Sequence, residues 1–479
     1  MTITRHPAPA GALVLAVAIL VGSLSGCSLA PSYSRPAADV PSSLVGLASR
    51  PGRPVTKIPL TQAEKAFVGS FGGGPILTDL VERALAHNAD FNAAVDNVRM
   101  ARAALAEQRA SSRPHIGAVV EAEKYGLSKG TIDPTASPNY AFGGIAVSQE
   151  LDIFGRAHGL TAAARERLAA SEYMQAAARA GLITETLRTY AALCAAQQAA
   201  QTTSEVIKDE RASLDAVKLA NRLGAVSNVE ATQAEIRFQS AQTEEREAAA
   251  TLRSLNRAFS LLVGYSTSPV LVSTADLADA ARGRTLPASV PSSVLLRKPE
   301  VMAAEAELRA RNADIGAARA AFFPSITLTG AYGRASDELG NLFSNGASGW
   351  AFLPQINLPI FDFGRRKANL DAAWVRKQSG IREYEAEVER SFKNVADAMD
   401  ALVIAQAKSD LELQRTSESL QRLKNSDQRR ADGLEDAQQV RQARMSLAYQ
   451  KLARLQADRE LAQANAGVFS AFYNTGVLD

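Results

Sequence analysis

Apolar side chains recur at helical spacing in the first part of this chain. From about Thr61 to Ser112 they lie three or four residues apart, at Leu77, Leu80, Val81, Ala84 and Leu85. This period predicts a helix with one apolar face, and Pro114 ends it. Two Pro-free stretches, Arg156 to Asn221 and Gly364 to Ala431, predict helices of 66 and 68 residues. At 1.5 Å per residue each would span roughly 100 Å.

Alternating apolar and polar positions follow Pro114 and predict strands over 114–125 and 140–154. One side of the second strand carries Ile145, Val147 and Leu151, and the other carries Ser148 and Glu150. Residues 126–139 have the Gly, Asp and Pro content of a loop. The second half predicts the same elements, with strands over 324–335 and 350–363 and a loop over 336–349.

The two halves repeat at a constant step. Pro114 and Pro324 are 210 residues apart, and Gly224 and Gly433 are 209 apart. Each of these glycines follows a long helix and suits a helix-tip turn that reverses the chain. Return helices are predicted at about 227–262 and 434–474. One unit used twice explains the order, which is helix, strand pair, long helix, turn and helix.

The predicted strands are long enough to cross a bilayer when tilted. Four strands cannot close a barrel, which needs about eight, and open edges cannot sit in lipid. If the strands span a membrane, several chains must therefore share one barrel, and three chains would supply twelve strands. Aromatic residues near the strand ends, among them Tyr332, Trp350 and Phe363, resemble an interfacial girdle. The alternative is a pair of soluble hairpins that pack on a core.

The N-terminus has the pattern of a lipoprotein signal peptide over residues 1–26. Arg5 precedes an apolar run over 11–22, and Leu24-Ser25-Gly26-Cys27 resembles a lipobox. Cys27 would then become an N-palmitoyl and S-diacylglycerol cysteine, and Ser28 after it favours the outer membrane. The alternative is an ordinary signal peptide with an incidental cysteine. The Pro-rich residues 27–60 predict a lipidated tether.

Composition and motifs narrow the function further. Lys and Arg number 53 against 50 Asp and Glu, which gives no basic footprint for nucleic acid. A G-x-S-x-G match at residues 126–130 lies in a predicted loop, whereas a nucleophile elbow needs a strand-to-helix turn. The four His are scattered, and no Cys pair suggests a metal. We expect no enzyme, no catalytic or metal-binding residue, and no cofactor apart from the lipid on Cys27.

Three stretches of the second half carry the most specific signal. They read Leu296-Arg297-Lys298-Pro299-Glu300, Asn312-Ala313-Asp314-Ile315-Gly316 and Phe322-Phe323-Pro324-Ser325-Ile326. With the Cys27 region and both Phe-Gly-Arg turns, they resemble the outer membrane factors of the TolC type, in particular the NodT-like efflux lipoproteins.

The resemblance implies a mostly α mixed membrane protein with a two-fold internal repeat. Three chains would form a 12-stranded outer-membrane β-barrel, with four strands from each chain, continued by a long periplasmic antiparallel helical barrel. The first repeat would cover 61–263, a linker 264–296, the second repeat 297–474 and a tail 475–479. The implied partners are a periplasmic adaptor and an inner-membrane pump, commonly of the resistance-nodulation-division class.

The resemblance also implies that side chains on the second return helix close the periplasmic end. Spacing from Gly433 places Gln438 and Gln442 there, where such branches often carry a Leu and, one turn later, an Asp. Three Gln can close by size and hydrogen bonds only, so we predict weak sensitivity of the conductance to pH and divalent ions. Ion pairs near the tip are a candidate latch, and the residues are Arg430, Asp432, Glu435 and Asp436. The alternative is a solvated helix end.

The favoured function is a passive outer-membrane exit duct of a tripartite efflux system, lipid-anchored and extending into the periplasm. It would conduct small molecules such as drugs or toxic compounds. The first alternative keeps the fold but exports polypeptides with an ABC transporter. The second is a structural coiled-coil lipoprotein without a pore, and the two strand pairs argue against it.

Overall fold

The computed structural model describes residues 30–36, 57–124, 139–264, 271–283, 291–336, 342 and 347–476. The chain divides into two compact units, Met1–Gly46 and Leu47–Asp479. In the first unit, residues 30–36 are exposed and lie in no helix or strand. The predicted signal peptide, Cys27 and most of the predicted tether lie outside the described residues. All described helices and strands belong to the second unit.

Three helices occupy the stretch for which the sequence predicts one. They are α1 (Gln62–Val68), α2 (Gly74–His87) and α3 (Ala89–Ser111). A π-helical turn follows α1, and within it Gly72 has a φ of 93°, which an L side chain rarely adopts. At the second break, Asn88 is extended and its side chain accepts a hydrogen bond from Phe91 N at 2.9 Å. The apolar stripe continues across both breaks, which explains why the period alone did not predict them.

One antiparallel sheet contains β1 (His115–Lys124), β2 (Asn139–Leu151), β3 (Ser325–Ser336) and β4 (Ala347–Asn357), in chain order. The pairing of β2 with β3 joins the two halves. The strand predicted over 350–363 is shifted, because β4 begins at Ala347 and ends at Asn357. Pro359 has no amide hydrogen for a strand ladder, and the chain then turns into the next helix. The loop predicted over 126–139 lies outside the described residues apart from Asn139, the first residue of β2. The loop predicted over 336–349 is too long, because Ser336 ends β3 and residues 347–349 begin β4.

Long helices leave the sheet after β2 and β4. The first, α4 (Arg156–Arg222), has 67 residues and returns as α5 (Asn228–Val263), which has 36. Next come α6 (Thr274–Arg282), a 3₁₀ turn over Ser292–Arg297 and α7 (Pro299–Ala320). The second long helix, α8 (Arg365–Ala431), again has 67 residues and returns as α9 (Ala437–Phe472), again with 36. In both halves, therefore, a helix and a strand pair are followed by a 67-residue helix and a 36-residue return helix.

An aspartate caps each long helix at the sheet. The Asp152 carboxylate accepts hydrogen bonds from Ala157 N at 2.9 Å and His158 N at 2.7 Å. In the second half, Asp362 accepts one from Arg366 N at 3.2 Å. Free N–H groups and the positive end of the helix dipole both favour a carboxylate at this position. The two similar turns that the sequence shows at 152–156 and 362–365 thus have a common cause.

The segment predicted as a linker contains structure of its own. Helix α6 lies within residues 264–296 and buries Leu277, Ala278 and Ala281. Ala278 and Ala281 pack in one apolar cluster with residues of α8 and α9, among them Leu402 and Phe472. The prediction of a plain linker missed this helix because it is only nine residues long.

The larger core surrounds the middle of α4. It gathers side chains from both ends of the second unit, including Phe67, Phe71, Leu187, Tyr190, Phe259 and Phe469. Cys194 is fully buried on α4, and burial raises the pKa of its thiol to about 12. A residue so buried is a packed helix position, as its alanine neighbours predict.

A buried ion pair fastens the start and the end of the described body to α4. Glu64 on α1 is 1% exposed, and Arg179 on α4 contacts it through Nε–Oε1 at 2.7 Å and Nη2–Oε2 at 2.8 Å. The Tyr473 hydroxyl donates to Oε1 at 2.9 Å, and Thr61 N donates to Oε2 at 2.7 Å. We call these four residues the Glu64 network.

Candidate channel-forming surfaces

The sheet has one apolar face. The strand register places on this face Ile116, Val120, Ile145, Val147, Leu151, Ile326, Leu328, Tyr332, Trp350, Phe352 and Ile356. Ile116, Tyr332 and Trp350 are 66%, 67% and 78% exposed in the single chain. An apolar face this wide and this exposed needs an apolar environment.

The opposite face of the sheet is small and polar. It carries His115, Glu121, Ser148, Glu150, Thr327, Thr329, Ala331 and Gln355, together with the apolar Val119, Phe142 and Leu353. Gly144 and Gly333 face each other there, and a Cβ built on Gly144 would lie 2.3 Å from Tyr332 O. Glycine is therefore required where β2 and β3 meet. Apolar-out and polar-in alternation is the pattern of a strand between lipid and water.

Both outer strands of the sheet have one unpaired edge in the single chain. Among the residues that the structure describes, the outer strand β1 pairs with β2 alone, and the outer strand β4 pairs with β3 alone. The backbone groups along these two edges need partners if the sheet lies in lipid.

The helices form an antiparallel row away from the sheet. Helix α4 packs against α5, α8 packs against α9, and α4 also packs against α9. Towards the helix tips the row therefore runs α5, α4, α9, α8, with α5 and α8 at its two ends. Nearer the sheet, α7 packs against both α4 and α8. Helix α8 exposes a series of apolar side chains, and these are Val375, Phe392, Val403, Ile404, Leu411 and Leu420. No helix in the described part of the chain is both long enough and apolar enough to cross a membrane.

The two helix-tip turns have the same local design. Gly224 and Gly433 both have a φ of 74°, the left-handed conformation that ends a helix. Ser227 then caps α5, with Glu230 N donating to its hydroxyl at 3.2 Å. Asp436 caps α9, where Gln438 N and Gln439 N each donate to Oδ1 at 2.8 Å. Both chain reversals are therefore specified by a glycine and a capping residue close to each turn in the sequence.

The gate candidates divide into two groups. Glu435 accepts hydrogen bonds from the Ser426 hydroxyl and from Arg429 Nε, the latter at 2.7 Å. The hydrogen bond from Ser426 and the bond and charge of Arg429 together hold the pKa of Glu435 below its ordinary value. Asp436 caps α9 as described. These two carboxylates therefore stabilise their own hairpin.

The other candidates remain on the surface of the single chain. Gln438 and Gln442 are exposed one helical turn apart, and Arg430 is exposed at the end of α8. Asp432 accepts a hydrogen bond from Gln428 Nε2 at 3.2 Å, within its own helix end. Within the described residues, no ion pair joins the tip of the first hairpin to that of the second.

The model of one protein family, the outer membrane efflux protein family, matches residues 80–264 and 290–472. The chain belongs to this family. The match follows the two halves of the fold and confirms the resemblance seen in the sequence. The family is one of efflux channels and not of enzymes.

Individual relatives agree with this membership. The chain is 35% identical to outer membrane protein OprJ of Pseudomonas aeruginosa over 405 residues, which cover 83% of this chain and 81% of OprJ. It is 33% identical to the solvent efflux pump outer membrane protein SrpC of Pseudomonas putida over 381 residues, which cover 79% of this chain and 80% of SrpC.

A solved structure of a relative has the same fold as this chain. A crystal structure of CusC, which is named a cation efflux system protein in Escherichia coli, aligns with a TM-score of 0.71 and 28% identity. The alignment covers 93% of this chain and 99% of that one. This member of the outer membrane efflux protein family is accordingly an outer-membrane channel of an efflux system.

Proposed function

We propose that three copies of this chain close a twelve-stranded barrel in the outer membrane and continue it as a periplasmic helical tube. The observation that carries the proposal is the four-stranded sheet, which has one apolar face and an unpaired edge on each side. A closed barrel needs about eight strands, so one chain cannot satisfy these edges in lipid. In the trimer, β4 of one protomer would pair with β1 of the next.

The helical row supports the same closure. Its two end helices, α5 and α8, would meet across the interface between protomers, where apolar side chains of the tip half of α8, such as Val403, Leu411 and Leu420, would be buried. The 67 residues of each long helix span roughly 100 Å. A tube of that length reaches far into a periplasm. The matching order of elements in the two halves favours one ancestral unit used twice.

The helix tips are the proposed contact with a periplasmic adaptor. Leu223 and Leu434 lie at the two turns and are 75% and 65% exposed. Apolar side chains so exposed at the far end of a long hairpin suit a protein partner. We propose that this adaptor connects the tube to an inner-membrane pump, of the resistance-nodulation-division class. Gln438 and Gln442 would form the closed gate without a ring of carboxylates.

The proposed cargo is small molecules, such as drugs or other toxic compounds. SrpC is named for a solvent efflux pump and CusC for a cation efflux system, so relatives serve different chemistries. The proposed duct performs no catalysis and carries no cofactor apart from the lipid on Cys27. That lipid would anchor the chain to the outer membrane.

Two measurements test the proposal. Native mass spectrometry of the detergent-extracted protein should give a trimer, and planar bilayers should show single-channel currents. A monomer without current would contradict the barrel and favour a structural lipoprotein. A pull-down from crosslinked cell envelopes should recover an adaptor and a resistance-nodulation-division pump. Recovery of an ABC transporter would instead assign the duct to polypeptide secretion.

A further inference from the structure

A cavity of about 500 Å³ lies between α4, α7, α8 and α9, near the middle of the two long helices. We call it the waist cavity, and its size is in the range of small-molecule sites. An adjoining cavity of about 670 Å³ shares Arg188 with it and is lined in part by the apolar Leu255 and Ile404. The charged side chains of the waist cavity are Glu185, Arg188, Lys298, Glu300 and Asp397.

Several polar groups in the wall of the waist cavity lack a partner. Lys298 is only 3% exposed, yet its ammonium forms no ion pair or hydrogen bond with any residue that the structure describes. Thr184 is 4% exposed, and neither its hydroxyl nor Oε2 of Glu300 has a hydrogen-bond partner in the described part of the chain. Buried polar groups are normally hydrogen-bonded, because an unsatisfied one costs free energy. The wall therefore presents polar groups that need an occupant.

Arg188 is a second cation of the cavity that is free for another partner. It has no ion pair among the residues described, and its Nε donates to Gln463 O at 3.4 Å. Gly467 leaves room for the guanidinium, because a Cβ at this glycine would lie 2.8 Å from Arg188 Nη2. Arg188 thus lies across α9 with its charge directed at the waist cavity.

The carboxylates of the cavity divide into paired and free ones. Asp397 forms an ion pair with Lys393. Glu185 and Glu300 form none with the residues in the described ranges, although Glu185 accepts a hydrogen bond from the Thr189 hydroxyl at 3.2 Å. The free charges of the waist cavity therefore have both signs, with as many carboxylates as cations.

The cavity opens on the face of the helices that is opposite the apolar cores. On α4, Gly181, Thr184 and Arg188 form the wall at helical spacing. Core residues such as Ile183 and Leu187 lie on the other side of this helix, where α1 and α2 pack. In the proposed tube these shorter helices cannot face the axis, because three copies of them would fill it. The waist cavity therefore faces the lumen.

We propose that the waist cavity binds passing cargo, and that this cargo is a small zwitterion with an apolar body. The inference rests on the proposed tube and names a class of molecule that the tube would hold. Arg188 and Lys298 would bind the carboxylate of the cargo, and Glu185 and Glu300 its ammonium, through charge-assisted hydrogen bonds. The apolar body would lie in the adjoining cavity. A simple cation or anion would leave one of the two pairs unmatched.

Three dansyl compounds with the same apolar body test this charge pattern. Dansyl-lysine, labelled on its side-chain nitrogen, carries a free ammonium and a free carboxylate. Dansylcadaverine lacks only the carboxylate, and dansylaminohexanoic acid lacks only the ammonium. Equilibrium dialysis measures their binding to trimers in lipid nanodiscs, and empty nanodiscs give the lipid background. We expect dansyl-lysine to bind about 10-fold more tightly than either of the other compounds.

Substitutions should remove the two preferences separately. Arg188→Gln with Lys298→Gln should abolish the preference over dansylcadaverine and keep the preference over dansylaminohexanoic acid. Glu185→Gln with Glu300→Gln should do the reverse. Native mass spectrometry checks that each variant is a trimer. Should the buried Lys298 be needed for folding, Arg188→Gln alone, at an exposed position, should still lower the first preference.

Arg390→Gln is the matched control. It removes a cation of the neighbouring wall that is already paired with Glu387, so all three affinities should stay unchanged. Single-channel recordings on the same trimers separate the possible failures. The site is overturned if trimers conduct current but bind no dansyl-lysine above background, or bind the three compounds equally. A protein that forms neither trimer nor current overturns the tube, and the site with it.

Discussion

Replacing Arg179 with methionine should reverse the pH dependence of stability that the Glu64 network contributes. Burial raises the pKa of Glu64, but the hydrogen bonds and charge of Arg179, together with hydrogen bonds from Thr61 N and the Tyr473 hydroxyl, outweigh it and hold that pKa below its ordinary value of 4.5. In the wild type, the carboxylate therefore stabilises the fold above about pH 4.5, and this contribution is lost as the pH falls through the lower folded pKa. Without Arg179 burial dominates, so the pKa should rise and acidification should stabilise the variant.

The expected loss follows from the geometry of the network. Glu64 is 1% exposed and Arg179 is 16% exposed, so the variant leaves a buried charge without its partner. Such losses are about 3–5 kcal/mol. Two donors remain, Tyr473 and Thr61, so we expect a value near the lower end, about 3 kcal/mol, at neutral pH.

Guanidinium unfolding of the helical region, followed by far-UV circular dichroism in detergent, measures this loss at about pH 5 and about pH 7.5. The double variant Glu64→Gln and Arg179→Met should recover part of the loss, because no buried charge remains. Arg99→Met is the surface control, since its pair with Asp96 is 73% and 61% exposed and should be worth at most about 1 kcal/mol. The reasoning is refuted if Arg179→Met costs less than the surface control, or if it keeps the wild-type pH slope.

Three further predictions concern the sheet, the gate and the lipid. Gly333→Ala should abolish the folded trimer seen in native gels, since its Cβ would lie 2.3 Å from Gly143 O, while Gly330→Ala, with nothing within 4 Å of its Cβ, should not. In planar bilayers, wild-type current should persist in micromolar concentrations of a divalent cation. Gln442→Asp should introduce block by that cation, because three carboxylates attract cations. Block of the wild-type current would contradict a gate made of Gln side chains. Cys27→Ala should remove the lipid seen by mass spectrometry and lower assembly efficiency without abolishing the trimer; complete loss of the trimer would show that the lipid is needed for folding.

The long elements could be predicted from the sequence because their signals are local and extended. The stretch after Gly155 has no proline for more than 60 residues, and α4 covers it from Arg156 to Arg222. The strands follow from alternation over about ten residues. Short or interrupted elements carried too little periodicity, so α6 and the break at Gly72 were missed.

Contacts between distant residues could not be predicted from one sequence. The Glu64 network joins residues 115 and 409 positions apart, and nothing in the neighbourhood of Glu64 indicates either partner. The face on which Phe142 lies is different, because alternation along β2 already places it on the side of Ser148 and Glu150. The register agrees and places Phe142 on the polar face, opposite Glu121.

At the helix tips, the capping-box pattern distinguishes between gate candidates that lie equally close to the turn in the sequence. Six residues near Gly433 qualified for the gate or its latch by distance along the chain. The spacing of Asp436 and Gln439, like that of Ser227 and Glu230, is that of a capping box, and both boxes form. A carboxylate that closes its own helix end is not free to close a pore, because its hydrogen bonds are already used. We therefore keep Gln438 and Gln442, which are exposed on α9, as the proposed gate.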